Sequence, residues 1–525
     1  MNVYKLLLLA FLITGRWISA DAQENAEAIT MGEPYKKVDS WSNTYFKRGD
    51  EILSVKRVGD HKIVLQKRNI SGLREIVKNE INDFPSKSRI RTIVELSGRY
   101  LVFYSKYNKR AKAEQLFVRE IDFTTVSFKN EGSVLMEIGG SARKKKWLVS
   151  AFYFYASHDQ SKLLVQYQLA EDNAEKERVV GFEVYNQDLK SLWSKEVQLP
   201  DVKKGYSSWT SMVSASGDVY LAAQVYTGND RKKEKESELN YHYSLWKFSP
   251  ASSTKTPINL SLKEGHYARY EDLQEAPSGE IIFSGYSNSG KRHNVVGEIF
   301  LFKLDKNGKI LDDRLYDIPL SLINQYENAT RVKYNKEKEE EGNVEWKDMT
   351  LRQVVCNDDG SILIIGEEYA RYLARSYNNK TEDYFYYYND ILVAKIEANG
   401  YLSWMRKLPK RQVRRGSSGS MSFKYFYADQ KHYFLYLDHI DNLEPDINKA
   451  PVEYNDKKRG YLMVSMIDDE SGKVDKRSVL NIRDVNGIGL HKFHPSRVIV
   501  SEGKNFVFEA YKRRKGDIMI RVKLK

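Results

Sequence analysis

Two segments of this chain match each other position for position, and both end in an Asn-Gly dipeptide. The first covers residues 298–308 and the second covers residues 390–400. Apolar residues alternate in both with a period of two, which is the pattern of a β-strand with two distinct faces. Asn-Gly tolerates the positive φ angles of a tight hairpin turn. Each segment therefore predicts a strand, a turn and a returning strand, the latter at residues 309–315 and 401–408.

A second predicted hairpin precedes each of these units. Its turn is Ser278-Gly279 in the first case and Asp358-Asp359-Gly360 in the second, and an apolar strand follows each turn. Two hairpins in series form a four-stranded antiparallel unit. Weaker copies recur at intervals of roughly 45 to 80 residues. Their turn signals are Ser216-Gly217, Lys458-Arg459-Gly460, Ser471-Gly472 and Glu502-Gly503.

Four-stranded sheets repeated around an axis define a β-propeller, in which strand edges are short and protected. The chain ends in three predicted strands (497–501, 505–511 and 517–524), whereas a blade needs four. We therefore expect an N-terminal strand, either 51–58 or 62–67, to complete the last blade and close the ring. This closure favours a propeller over an elongated stack of sheets. The repeats predict an all-β chain of seven blades, with eight as the alternative.

The segment from Asp390 to Trp404 carries the pattern Lys-Ile-x-x-Asn-Gly-x-Leu-x-Trp. It resembles the blade repeat of exported bacterial β-propeller proteins, in which an aspartate-led strand, an Asn-Gly turn and a tryptophan recur. The resemblance is partial at residues 298–311, which lack the tryptophan, and loose around residues 182–193. It implies the propeller fold and carries no specific activity.

The first 22 residues have the order of a secretory signal peptide. Lys5 precedes an apolar run at residues 6–13, and a small-residue stretch ends in Ala20-Asp21-Ala22. The apolar run is about half of the roughly 20 residues that a membrane-spanning helix needs. We expect cleavage before Gln23 and export to the periplasm, the cell surface or the medium. An N-terminal segment (23–46) would then precede a single propeller domain (47–525), with no transmembrane segment after cleavage.

The chain is basic, because 84 lysine and arginine residues exceed 71 aspartate and glutamate residues. This excess favours attraction to anionic surfaces, and a solubilising basic surface is the equally simple alternative. Cys356, the only cysteine, lies in an apolar run and predicts a buried strand residue. His491 and His494 are three apart, which places them on opposite faces of a strand. We expect no metal, no cofactor and no specific recognition of nucleic acid.

The tight glycine turns should all lie on one rim of the ring, so the long connections must emerge on the opposite face. Loops on a rigid scaffold are where binding sites are usually built. The richest is the 369–389 segment, where arginines and tyrosines offer contact area with polar ends. A basic cluster follows at Lys407 to Arg415. The candidate binding residues are Arg371, Tyr372, Arg375, Tyr384, Tyr386, Tyr388, Arg411, Arg414 and Arg415.

Simpler interpretations of the same residues are open. The tyrosine run also fits a strand packed between blades, and the basic cluster also fits a solvated charged face. Glu367-Glu368 is the best acidic candidate for hydrolysis, but glycoside hydrolysis needs a second carboxylate at working distance.

The sequence favours an exported binding or scaffold module that recognises an anionic glycan, a peptide or an envelope protein. The alternatives are an enzyme acting on polysaccharide and a structural subunit of a cell-envelope assembly.

Overall fold

The alternating segments form antiparallel strands that are grouped into blades around one axis. The computed structural model describes residues 26–139, 149–169, 179–198, 209–226, 241–251, 257–263, 265–288, 295–341, 346–374, 383–416, 421–455, 460–483, 485, 489–512 and 516–524. Strand accounts for 63% of the structure and helix for 5%. The predicted all-β propeller is therefore confirmed.

The first strand, β1 (Ala26–Met31), belongs to the last blade, and the ring proper begins at the second strand. The strands of the first four blades run in chain order from the axis outward. Blade 1 contains β2 (Ser42–Arg48), β3 (Glu51–Arg57), β4 (Ile63–Asn69) and β5 (Glu75–Ile81). Blade 2 contains β6 (Arg89–Leu96), β7 (Arg99–Asn108), β8 (Ala113–Asp122), the short β9 (Ser127–Phe128) and β10 (Ser133–Gly139). Blade 3 contains β11 (Val149–Ala156), β12 (Lys162–Leu169), β13 (Val179–Asn186) and β14 (Ser191–Gln198). Blade 4 contains β15 (Trp209–Val213), β16 (Val219–Tyr226), β17 (Tyr241–Phe248) and β18 (Ile258–Leu260).

The second half of the ring carries the larger insertions. Blade 5 contains β19 (Tyr267–Glu275), β20 (Ile281–Asn288), β22 (Glu298–Leu304) and β23 (Ile310–Asp317), while β21 (Val295–Val296) pairs with β24 (Trp346–Lys347) outside the blade. Blade 6 contains β25 (Met349–Cys356), β26 (Ile362–Ala374), β27 (Asp383–Ile396) and β28 (Leu402–Leu408), and β29 (Gln412–Arg415) pairs with β27. Blade 7 contains β30 (Phe423–Ala428), β31 (Lys431–His439), β32 (Gly460–Asp468) and β33 (Val474–Asn481).

Blade 8 closes the ring with strands from both ends of the described chain. Its inner position is shared by β34 (Leu490–Lys492) and β35 (Val498–Val500), followed outward by β36 (Asn505–Lys512) and β37 (Gly516–Leu524). The outermost strand is β1, which pairs antiparallel with β37 and aligns Met31 with Ile520. The predicted closure by N- and C-terminal strands is confirmed.

Three details of the sequence prediction differ from the structure. The closing strand is neither 51–58 nor 62–67, because those segments form β3 and β4 inside blade 1. With β2 and β5 they form a complete additional sheet, so the ring has eight blades, the alternative count, and not seven. The propeller also begins N-terminal of residue 47, since both β1 and the start of β2 precede that position.

The blades are held to one another by lysines at equivalent positions of their third strands. Lys247, Lys303 and Lys395 each donate a hydrogen bond to a backbone carbonyl in the outer turn of the next blade. The distance from Lys303 Nζ to Ala398 O is 2.6 Å. The lysine in the aligned repeats is therefore an inter-blade contact.

The long connections emerge on the face opposite the tight turns, and we call it the loop-bearing face. The connection from blade 5 to blade 6 contains α1 (Leu320–Ile323) and α2 (Ala329–Glu340). The sequence analysis did not predict α2, because its residues are polar on every side and give no apolar period of 3.6. Asn335 is its only buried residue. Among the described residues, no helix is both long and apolar enough to cross a membrane.

Candidate functional site

Blade 6 extends beyond its neighbours on the loop-bearing face. Strands β26 and β27 have 13 and 14 residues and continue as a paired hairpin past the body of the blade. Strand β29 adds to the outer part of β27, aligning Tyr386 with Arg414. We call residues 369–374, 383–388 and 412–415 the extension. It is a three-stranded platform that carries most of the predicted binding residues.

One surface of this platform gathers arginine and tyrosine side chains, because directly paired residues of antiparallel strands share a face. Arg371 lies opposite Tyr386, which lies opposite Arg414. The Arg371 guanidinium stands 4.7 Å from the centre of the Tyr384 ring, and Tyr384 is followed on the same face by Tyr386. We call Arg371, Tyr384, Tyr386 and Arg414 the arginine–tyrosine face.

Arg371 is exposed and has no carboxylate partner within the part of the chain that the structure describes. No described residue accepts a hydrogen bond from its guanidinium, which can therefore donate to a ligand. Tyr384 and Tyr386 are half-buried, and the Tyr386 ring also packs on the core of blades 7 and 8. The arginine–tyrosine face is therefore supported by the core on one side and accessible to a ligand on the other.

The other predicted residues lie elsewhere. Tyr388 is buried, with its ring 4.9 Å from that of Tyr369, so it belongs to the core. Tyr372 lies on the opposite surface of the extension and donates a hydrogen bond to Asp348 (3.1 Å). Arg415 forms an ion pair with Asp383. Arg411 stands 3.8 Å from a carboxylate oxygen of Glu453, and Arg375 lies outside the described residues.

A cavity of about 360 Å³ lies against the second surface of the extension. The connection that carries α1 and α2 covers it on one side, and Ala450 and Pro451 contribute from the loop of blade 7. Its aromatic lining residues are Tyr326, Trp346, Tyr372 and Tyr387. Its acidic residues are Glu327, Asp348, Glu368 and Asp390.

The floor of the cavity is shaped by a β-bulge between β26 and β27. Glu367 aligns with Ile391 and Tyr369 aligns with Tyr388, so Glu368 alone faces two residues of the opposite strand, Asn389 and Asp390. Bulges redirect side chains and are common next to binding sites. Here the bulge brings Glu368, Asn389 and Asp390 to one cavity.

The two adjacent glutamates have opposite environments. Glu367 is fully buried and is neutralised by Lys410, whose Nζ lies 2.7 Å away, and by Arg352 at 2.9 Å. Ser422 donates a further hydrogen bond to it. Glu368 is half-buried at the cavity floor, and no described residue donates a hydrogen bond to its side chain. Burial first, and then repulsion by Asp390, raise the pKa of Glu368 to about 8.

Beneath the floor, Lys407 is fully buried and contacts Asp390 at 2.9 Å and Glu327 at 3.6 Å. Burial alone would lower the pKa of Lys407, but these two carboxylates outweigh burial and raise it. Burial raises the pKa of Glu327 in turn. Lys407 and Lys410 resemble surface charges in the sequence, yet both are internal ion-pair partners.

The sequence indicates the Glu367-Glu368 pair but not its surroundings. Asn389, Trp346 and Glu327 come from separate connections or from the far side of a bulge, so no local pattern predicts their convergence. Chemically, a protonated carboxyl group beside ion-paired carboxylates can donate and accept hydrogen bonds with a ligand, and once it loses its proton it can bind a cation. No cluster of metal-ligating side chains occurs among the described residues. Burial raises the pKa of the Cys356 thiol to about 12, so it is a poor nucleophile.

No protein-family model matches the chain, and no curated protein matches it. Solved structures that resemble it include puromycin hydrolase (TM-score 0.37, 10% identity, covering 93% of this chain and 63% of that one). Others are the β-propeller domain of the Trilobed protease from Pyrococcus furiosus (0.34, 10%, 85% and 98%) and the WD40 domain of SCAP from fission yeast (0.38, 9%, 95% and 98%). The chain thus spans about 63% of the length of the puromycin hydrolase chain. At these identities the likeness concerns the fold alone.

Proposed function

We propose that this chain is an exported β-propeller binding or scaffold module that recognises an anionic ligand through the arginine–tyrosine face. The ligand classes that fit are an acidic glycan, a peptide and an envelope protein. The observation that carries the proposal is Arg371, an exposed guanidinium without a carboxylate partner in the described chain, beside Tyr384 on a firm three-stranded platform.

The side chains of this face can bind a planar anion and can stack on a ring of the ligand. A guanidinium binds a carboxylate or sulfate through two parallel hydrogen bonds. Tyrosine rings add contact area at low cost in conformational entropy, and they stack on sugars or on apolar side chains. The net charge of +13 would raise the rate of encounter with an anionic partner, and added salt would reduce that rate.

The test uses beads of dextran sulfate, with neutral dextran as the control matrix. The mature protein should be retained by the sulfated beads and released by salt. Arg371→Ala should reduce the affinity about 10-fold, because a charge-assisted hydrogen-bonded contact is lost. The matched variant Arg415→Ala removes the same charge from the opposite surface, where Asp383 already pairs with it, and should be retained like the parent protein.

Equal retention of Arg371→Ala and the parent protein would show that the general positive charge, and not this face, binds the anion. Envelope extract can then be used in place of the beads. The parent protein should capture a partner that salt releases, and Arg371→Ala should not capture it.

Export is tested separately. N-terminal sequencing of secreted material should find a start near Gln23, and a start at Met1 would overturn the prediction of export.

A further inference from the structure

The Glu368 carboxyl at the floor of the cavity behind the extension accepts no hydrogen bond from any described residue. The Asn389 side-chain oxygen Oδ1, from the opposite strand of the bulge, is fully buried and also lacks a donor among the described residues. An unsatisfied buried acceptor costs about 1–3 kcal/mol. Both groups meet at the β-bulge, where the backbone register holds them.

The other acidic groups of this cavity are already engaged. Asp390 and Glu327 share Lys407, and Lys347 lies 3.8 Å from Asp348. Two basic side chains of the lining are also engaged, since Lys410 is bound to Glu367 and Arg411 lies near Glu453. Arg331, on α2, contacts the Tyr334 ring at 5.2 Å from its centre. Glu368 is therefore the acidic residue of the lining that still lacks a donor among the described residues.

We infer that this cavity is a second binding site, specific for a ligand that carries a protonated primary amine, with Glu368 as its acceptor. An ammonium group offers three donors and no acceptor, which is the complement of an ionised carboxylate at the floor. Tyr372 and Tyr387 form aromatic walls, against which the body of the ligand can pack and the cation is further stabilised. The site is separate from the arginine–tyrosine face and does not depend on it.

The probe is phenethylamine, and its neutral counterpart phenethyl alcohol is the control ligand. Both present the same aromatic body, so their difference measures the preference for the ammonium group. Saturation-transfer NMR of the full mature chain at millimolar ligand detects weak binding. We expect phenethylamine to bind at least about 10-fold more tightly than the alcohol, the effect of one charge-assisted hydrogen bond.

Glu368→Gln should remove this preference, so that the two probes bind alike. The matched variant Glu444→Gln removes one negative charge from an exposed position in the blade 7 loop, on the loop-bearing face. It should bind both probes as the parent protein does. Ala370→Leu alters no charge but narrows the cavity, and it should weaken both probes. Ala370→Leu thus tests whether the probes bind in this cavity, and the test holds even if Glu368→Gln destabilises the fold.

The affinity should also depend on pH. The groups around Glu368 are Asp390, Lys407, Glu327 and Asp348. The basic residues Arg331, Lys347, Lys410 and Arg411 also line the cavity. An ammonium ion favours the ionised carboxylate, so binding must take the proton from Glu368 below its pKa of about 8. Affinity for phenethylamine should therefore rise from pH 6 to pH 8 in the parent protein and stay flat in Glu368→Gln. Equal binding of amine and alcohol by the parent protein, or binding of neither, would overturn the assignment.

Discussion

At the scale of single residues, buried charges cluster where blade 8 meets blade 1. Glu509 accepts hydrogen bonds from Lys56, Tyr35 and Tyr45, and Arg497 lies 3.3 Å away. Burial alone would raise the pKa of Glu509, but the cations hold it below its usual range. Asp517 is the poorly satisfied member, because its Oδ1 has no hydrogen-bond partner in the described chain. Burial and the charge of Glu509 raise the pKa of Asp517 to about 6.

Replacing Asp517 by asparagine should change how stability depends on pH. The raised pKa means that the folded parent protein holds this proton more tightly than the unfolded chain. The bound proton stabilises the folded protein at pH 4, and this stabilisation is lost as the pH rises through 6. The free energy of unfolding of Asp517→Asn, relative to that of the parent protein, should therefore increase by up to about 3 kcal/mol from pH 4 to pH 7. Urea unfolding measures this difference.

The control for this experiment is Asp468→Asn. Hydrogen bonds from Ser471 lower the pKa of the exposed Asp468, so its titration affects stability only at more acidic pH. Its difference from the parent protein should be constant from pH 4 to pH 7. A profile of Asp517→Asn that runs parallel to that of the parent protein would show that Asp517 does not titrate in this range.

At the scale of elements, side chains of blades 3 to 6 bind the tight turns of the following blade. Besides the lysines, Trp404 donates its indole N–H to Asp469 O and Trp193 donates to Gly217 O, both at 2.9 Å. Gly400 has a φ of +81° in the Asn-Gly turn, a left-handed conformation that favours glycine. The repeat pattern is thus a docking pattern: the turn presents carbonyl groups, and the lysine or tryptophan of the previous blade binds them.

Lys303→Met tests this docking, because it keeps the apolar stem of the side chain and removes the ammonium group. The Ala398 carbonyl then loses a charged donor, so the free energy of unfolding should fall by about 1–3 kcal/mol in urea. Lys309→Met, at an exposed position after the Asn307-Gly308 turn of blade 5, should stay within about 0.5 kcal/mol of the parent protein. Equal effects of the two substitutions would mean that the lysine contact contributes nothing to the interface.

At the scale of the whole molecule, the ring depends on a noncovalent closure. Strand β37 lies between β36 and β1, so it is a central strand of blade 8 and the only strand that pairs with β1 within the described chain. Ile520 is fully buried at this point, and it aligns with Met31 on one side and Phe508 on the other.

Deleting residues 517–525 should therefore destabilise the entire ring, seen as loss of the cooperative thermal transition and as aggregation in size-exclusion chromatography. Ile520→Asp should have a similar effect through a buried charge, at a cost of several kcal/mol. Lys523→Asp, on the same strand but exposed, should melt close to the parent protein. A truncated protein that melts and elutes like the full chain would contradict closure through this strand.

The amino-acid sequence by itself determined the strand periodicity, the four-stranded unit and the need for an N-terminal strand in the last blade. These are local properties: apolar alternation sets the faces of a strand, and glycine dipeptides set the turns. It also identified the part of blade 6 where arginines and tyrosines concentrate, since composition alone marks that segment.

Only the tertiary structure decided which strand closes the ring, how many blades it has and which side chains meet. Residues 51–58 alternate as well as β1 does, and local alternation does not encode which sheet a strand joins. The β-bulge opposite Glu368 changes the register by one residue, which reverses the face of every side chain beyond it. The sequence therefore could not place Asn389 beside Glu368, nor bury Lys407 and Lys410, because burial depends on packing partners that are distant along the chain.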